Sequence, residues 1–207
     1  MRVAAVATLA FVLGGVGVVA QAAASEPSSA AAPSAAGHAG HAGHAGHQHG
    51  AASEQLTLRE RLGLAEVKAA TAAYHYLPAA QAQGYSILTD LAGKTCIDQP
   101  GIGGMGVHYV NGGLVGDPAV VARQPEAVVY APTRDGRLQL VAVEYVTIKS
   151  AWDANHSAPP SLFGHEFMTT DAPNRYGLPA FYSLHVWAWD HNPDGTFAMW
   201  NPDVVCP

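Results

Sequence analysis

The hydrophobic pattern changes character near Tyr85. Ahead of it, Leu58, Leu62, Ala65, Ala69, Ala72 and Tyr76 recur at separations of 4, 3, 4, 3 and 4, the spacing of one helical face. Thr57 and Glu60 fit a capping box at the start of that helix, Pro78 ends or kinks it, and a short second helix to Gln83 would stop at Gly84. The narrow, Ala-rich stripe suits close packing on a sheet. Beyond Tyr85 the pattern breaks into short β-like runs between Gly and Pro clusters: Met105–Val110, Glu126–Ala131, Leu138–Ile148, Phe181–Asp190 and Thr196–Trp200. Asp135-Gly136 and Asn192-Pro-Asp-Gly195 mark the turns of two hairpins, and Ser150–Leu178 reads as a long irregular segment. The expected fold class is α+β, with an N-terminal bent helix or helical hairpin on a mostly antiparallel sheet, barrel-like closure being left open.

Leu138–Ile148 is the longest of these runs. Simple alternation puts Leu138, Leu140, Ala142, Val146 and Ile148 on one face, with Glu144 in their midst. Burying a bare carboxylate costs on the order of several kcal/mol, so Glu144 must be paired, protonated or holding a cation. His108 is opposite in phase to Val107 and Tyr109, and His185 shares its face with Phe181, Ser183, Trp187 and Trp189. Two neutral imidazoles and one carboxylate from separate strands match a three-ligand site with open positions, suited to zinc, copper or non-haem iron. Two other readings stand beside it. Glu144, raised in pKa by desolvation, could act with His185 as a metal-free catalytic acid–base pair; or a buried Glu–His pair simply fixes the strand register. Trp187, Trp189 and Trp200, with Phe181 and Phe197, either line a ligand pocket or pack as core.

Composition narrows the class. The 207 residues are 49% hydrophobic and 13% charged with a formal net charge of −6, and no basic stripe occurs, which argues against nucleic-acid binding. Met1-Arg2 and the uncharged stretch to Ala24, ending in Ala-x-Ala sites at Ala22 and Ala24, read as a secretory signal over residues 1–24. The protein is therefore expected to be secreted or periplasmic, with membrane contact only if that segment stays uncleaved. Residues 25–53 form a low-complexity tether with Gly-His-Ala repeats that bring His38, His41, His44, His47 and His49 together. Such tracts bind transition metals, copper or zinc before iron from imidazole preference. Residues 54–207 make a single domain. Cys96 and Cys206, in an oxidising compartment, are expected to form a disulfide.

Several motifs fail on context. Gly101-Ile-Gly-Gly-Met-Gly106 matches a dinucleotide fingerprint but leads into a strand, so it reads as a turn allowing close backbone approach beside His108. Phe163-Gly-His-Glu-Phe167 lacks the second histidine of a zincin, which leaves His165 a second-tier ligand in a loop folded over the site.

The words Met105-Gly-Val-His-Tyr-Val-Asn111, Pro125-Glu-Ala-Val-Val-Tyr130, Leu140-Val-Ala-Val-Glu-Tyr145, Leu184-His-Val-Trp187, Asn192-Pro-Asp-Gly195, Trp200-Asn-Pro202 and Cys206 resemble a family of exported bacterial proteins that carry the label hypothetical. The resemblance runs from about Glu66 to Cys206 and excludes the tether. It implies a fold and a site that includes His108, Glu144 and His185, with no reaction attached. Where the family pattern has Asn-Pro after the His-Tyr word, this chain has Asn111-Gly112. The leading expectation is a secreted transition-metal-binding protein with a His/Glu site and a metal-collecting tether. An extracytoplasmic enzyme or small-ligand binder, using the same residues in a Trp-lined pocket, is the alternative; a structural or interaction domain is the third reading.

Overall fold

The computed structural model describes residues Gln55–Pro207, which lie in one compact unit. The segments read as a secretory signal and as a tether, with His38, His41, His44, His47 and His49, lie outside the described residues. Helix α1 (Leu58–Thr71) opens with the expected capping box: Thr57 Oγ1 accepts from the Glu60 amide, and the Thr57 amide donates back to the Glu60 carboxylate. A 3₁₀ turn (Ala72–His75) and α2 (Leu77–Ala82) follow, so the helical layer is bent at the residues before Pro78.

Its seating differs from the periodicity. Leu58 and Leu62 are 65% and 63% exposed, whereas Gly63, Val67 and Thr71 are buried. Alanines occur on both sides of the helix, so hydrophobicity alone does not choose a face. Contact does. A Cβ on Gly63 would lie 2.1 Å from Phe163 Cδ1, and Thr71 Oγ1, hydrogen-bonded to Val67 O, accepts from Trp189 Nε1 at 3.0 Å. The helix is held where its backbone can come closest.

The sheet has nine candidate segments, seven of which join: β1 (Ser86–Ile87), β2 (Cys96–Gln99), β3 (Gly103–Val110), β4 (Ala127–Pro132), β5 (Leu138–Ile148), β8 (Met168–Thr170) and β9 (Phe181–Val186). Their order is β1-β3-β4-β5-β9-β8, with β2 also on β3, and every pairing is antiparallel. The sheet is open, not a barrel. β6 (Ser161–Leu162) and β7 (His165–Glu166) make a separate two-stranded ribbon. The segment read as irregular thus supplies three short strands and the helical turn Lys149–Asp153.

One face carries the main core under the helices: Val107, Tyr109, Val128, Tyr130, Val143, Tyr145, Leu184 and Val186 pack with Val67, Ala80 and Tyr85. Three of its tyrosines have their hydroxyls satisfied by backbone carbonyls, Tyr85 on Pro125 O, Tyr130 on Tyr74 O and Tyr145 on Ala122 O.

A bulge corrects the face assigned to the central strand. Val129 pairs with Ala142 but Tyr130 pairs with Leu140, so Val141 is an extra residue that reverses the alternation. Leu138 and Leu140 therefore join the helix-side core, while Ala142, Glu144 and Val146 lie on the opposite face. The bulge also ends β9 early. Val141 O accepts from both the Trp189 and Asp190 amides, which draws the chain out of the sheet after Val186. Residues 196–200 are not a strand, and the second expected hairpin does not form.

The C-terminal segment lies on the Gly-rich start of β3. Gly104 and Asn201 exchange backbone hydrogen bonds at 3.0 Å, and a Cβ on Gly103 would lie 2.4 Å from Asn201 O. The expected close approach is real, and the expected turn is confined to Pro100–Ile102, with Gly103, Gly104 and Gly106 lying within β3. Cys96 and Cys206 form the disulfide, with Cα atoms 5.6 Å apart, and pin this segment to β2.

Candidate functional site

Glu144 and His185 are direct cross-strand partners, and His108 reaches them from two strands away. Strand β4 lies between, and its residues on that face, Ala127 and Val129, are small. Bulkier residues there would hold the side chains of β3 and β5 apart. Across this gap His108 Nε2 lies 3.4 Å from Glu144 Oε2, and the His108 and His185 rings are 5.8 Å apart, edge to face. His185 is also tilted against Trp187 at 4.9 Å. The three groups that alternation singled out are brought together.

Their hydrogen bonding is incomplete. Both ring nitrogens of His108 and both of His185 are buried and make no well-formed hydrogen bond, His108 coming nearest to one toward the Gly106 backbone and Glu144 Oε2. Buried polar atoms are nearly always paired, so four such nitrogens in one cluster call for an explanation. Burial pushes the His108 pKa down to about 4 and that of His185 well below the usual imidazole range, where the nearby His108 adds to the effect. Both rings are neutral at physiological pH. Burial drives Glu144 the other way, up to about 7, with a hydrogen bond from Ser183 opposing it. The site holds two neutral imidazoles beside a carboxyl that is half ionised near neutrality.

Two cavities meet at Glu144. One of about 380 Å³ is bounded by Met105, Arg175, Tyr176, Phe181, Met199 and Trp200; another of about 200 Å³ includes Leu88, His108, Val115, Tyr176 and Leu178. Tyr176 and Phe181 border both. A third void of about 10 Å³ touches Glu144, Met168, His185, Phe197 and Met199.

The loop carrying Tyr176 is anchored by Arg175, whose Nη2 and Nε donate to Asp90 Oδ2 at 2.7 and 3.1 Å while Nη1 donates to Asp98 O. The guanidinium beside Asp90, with backbone donors, holds that carboxyl below its ordinary range. A further buried carboxylate, Glu126, immediately before β4, accepts from the Val146 amide at 2.9 Å. Burial raises its pKa to about 8, and Glu144 contributes in the same direction.

His165 belongs elsewhere. Its Nε2 lies 2.7 Å from Glu60 Oε1 at the start of α1, and its ring stacks on Phe197 at 3.8 Å. Nor do the tryptophans share one wall. Trp200 borders the larger cavity, Trp187 packs in the core with Nε1 on Ala198 O, and Trp189 sits across the sheet on Thr71 with its ring against His75. Sequence reasoning missed Glu126, the Arg175–Asp90 pair and Tyr176. Of these only Glu126, a charge abutting an apolar run, carried a signal.

Among the described residues, no group of three His, Cys, Asp or Glu side chains is arranged to hold a metal ion. No helix among them is long and apolar enough to cross a membrane. Compared with family models, curated proteins and solved structures, the chain matches none.

Proposed function

We propose that this is an exported transition-metal-binding protein whose specific site is the cluster of His108, Glu144 and His185, with the histidines of the tether collecting the ion. The observation that carries this reading is the set of four buried imidazole nitrogens without a hydrogen-bond partner. A Glu–His pair kept only for register would be expected to hydrogen-bond, because a half-satisfied buried network is worse than an apolar core. The 3.4 Å between His108 Nε2 and Glu144 Oε2 is long for such a bond. It suits two donors on one ion: ligands about 2.0 Å from a tetrahedral centre lie about 3.3 Å apart. Because no ready-made set of three His, Cys, Asp or Glu donors is present among the described residues, the ion takes part of this cluster together with a donor of another kind.

The test uses the full chain with the five tether histidines replaced by alanine, loaded separately with copper, zinc and iron, then desalted and analysed for metal. We expect one equivalent of at least one metal, lost in His108→Ala and in His185→Ala. A protein that retains no stoichiometric metal under any of the three loadings refutes the proposal.

A second reading has its own support. Glu144, with its pKa near 7, borders two cavities large enough for a small organic molecule. In that case Glu144, acting with His185, is the acid–base residue of an extracytoplasmic enzyme or binder, and Tyr176 and Phe181 shape the ligand. Ligand-dependent stabilisation that survives metal removal would favour it.

A further inference from the structure

The chain contains four methionines, Met1, Met105, Met168 and Met199. The three within the described residues all border voids that Glu144 also borders. Met105 and Met199 line the larger cavity, and Met168 and Met199 share the small void with Glu144 and His185. They come from unrelated parts of the chain. Met105 lies on β3, Met168 on β8 opposite Ser183, and Met199 in the C-terminal segment. Met105 should point away from His108's face by simple alternation, but a register shift between Ile97 and Asp98 of the neighbouring strand, with Gly106 at φ 104°, breaks the phase and leaves Met105 beside the cavity. Gap-filling methionines would be distributed through the main core, yet that core contains none of them.

Thioether sulfur is a soft donor, and soft donors with neutral imidazole select monovalent copper over zinc or iron. Both cysteines of the chain are spent in the disulfide, so methionine is its remaining source of soft sulfur. We propose that the ion held at the His108–Glu144–His185 cluster is monovalent copper, and that the neighbouring methionines supply the missing donor, Met199 foremost because it borders two of the three voids at Glu144 and shares the smallest with His185. The proposal rests on the metal-binding reading and adds to it the identity of the ion and its sulfur ligation. Met168, which is 53% exposed, stands at the outer side of the cluster, where an arriving ion would first meet sulfur.

The experiment uses the full chain with the tether histidines replaced by alanine. Monovalent copper is supplied under ascorbate and its affinity measured by competition with a chromogenic cuprous chelator, with zinc measured in parallel. The X-ray absorption spectrum of the copper form reports whether sulfur is bound. Met199→Leu, which conserves volume, and the triple change Met105→Leu, Met168→Leu, Met199→Leu are compared with their parent. We expect a sulfur shell in the parent, its loss or halving in the triple variant, and a fall in cuprous affinity on the order of tenfold or more with zinc affinity unchanged. Cuprous affinity that is the same in the triple variant, or a copper spectrum with nitrogen and oxygen only, overturns the sulfur proposal while leaving metal binding intact. Failure of the parent to bind copper or zinc at all overturns both. Circular dichroism of each variant separates loss of a ligand from loss of the fold.

Discussion

Glu144→Gln should make the metal-free protein more stable in mild alkali. The carboxyl is raised from its ordinary 4.5 to about 7, chiefly by burial. A carboxyl whose pKa is higher folded than unfolded favours folding while it is neutral. That contribution is full below about 4.5, falls through the interval, and is gone once the pH exceeds about 7, where the folded state holds a charge that the unfolded chain solvates better. At about 1.4 kcal/mol per pH unit, the interval amounts to about 3 kcal/mol. Glutamine keeps the shape and an oxygen for Ser183 without the charge. The variant should therefore gain about 2–3 kcal/mol over the parent near pH 8.5 and almost nothing near pH 4.5. Urea denaturation at the two pH values, with chelator present and the disulfide intact, reads this as a displaced midpoint. The neutral histidines produce an opposite slope, since His108, depressed to about 4, withdraws stability as the pH falls below 6.5. That slope is common to both proteins and cancels in the difference. A variant that is less stable near pH 8.5, or equally displaced at both pH values, refutes the claim that Glu144 is a buried and uncompensated charge.

Glu126→Gln should behave in the same way over a wider pH interval, because Glu126 is raised to about 8 and a glutamine oxygen can still accept from the Val146 amide. Its gain should open from about the same pH, near 4.5, but keep growing to about pH 8, past the point where the Glu144 variant levels off, and reach about 3–5 kcal/mol, as read by the same denaturation series. Gly63→Ala should destabilise by about 1–3 kcal/mol despite alanine's better helix propensity, because the new Cβ would meet the Phe163 ring at 2.1 Å. Leu62→Ala, on the exposed side of the same helix, should change stability much less; the reverse ranking in thermal or urea melts would mean that α1 is seated on its other face.

Much of this fold was legible because local chemistry decided it. The Thr57–Glu60 capping box, the limits of Leu138–Ile148 and the Cys96–Cys206 bridge appear as read. Alternation on single strands also marked His108, Glu144 and His185 as odd residues, but their mutual approach comes from the strand order that sets β3, β5 and β9 side by side through β4. What was not legible depended on contacts between distant segments. The bulge at Val141 sits in an unbroken apolar run and has no residue-level mark, yet it decides which leucines share a face with Glu144. The seat of α1 is chosen by Phe163, one hundred residues along the chain from Gly63. Methionines were passed over as candidate ligands for a related reason: an apolar side chain attracts notice only when its neighbours are known.

The position of the site follows from how the sheet is interrupted. A regular antiparallel sheet with an apolar core on both faces would have filled the positions of His108, Glu144 and His185 with valine or leucine, at a gain in stability of which the Glu144→Gln experiment reads the part due to charge at one of the three. Instead the small residues of β4 leave a trough, the Val141 bulge turns the following chain away from the sheet, and the segment bearing Met199 and Trp200 closes over the space so vacated. That segment has no strand pairing beyond the single Gly104–Asn201 bridge, so it is held by devices that act at points. Asn201, fully buried, donates from Nδ2 to His191 O and accepts from the Asp203 amide; Gly103 and Gly104 let the backbones approach; and the disulfide fastens the end. These devices share one consequence: they keep Met199 and Trp200 against the cavity that opens on Glu144. The disulfide is thus as much a part of the site's construction as of the protein's stability.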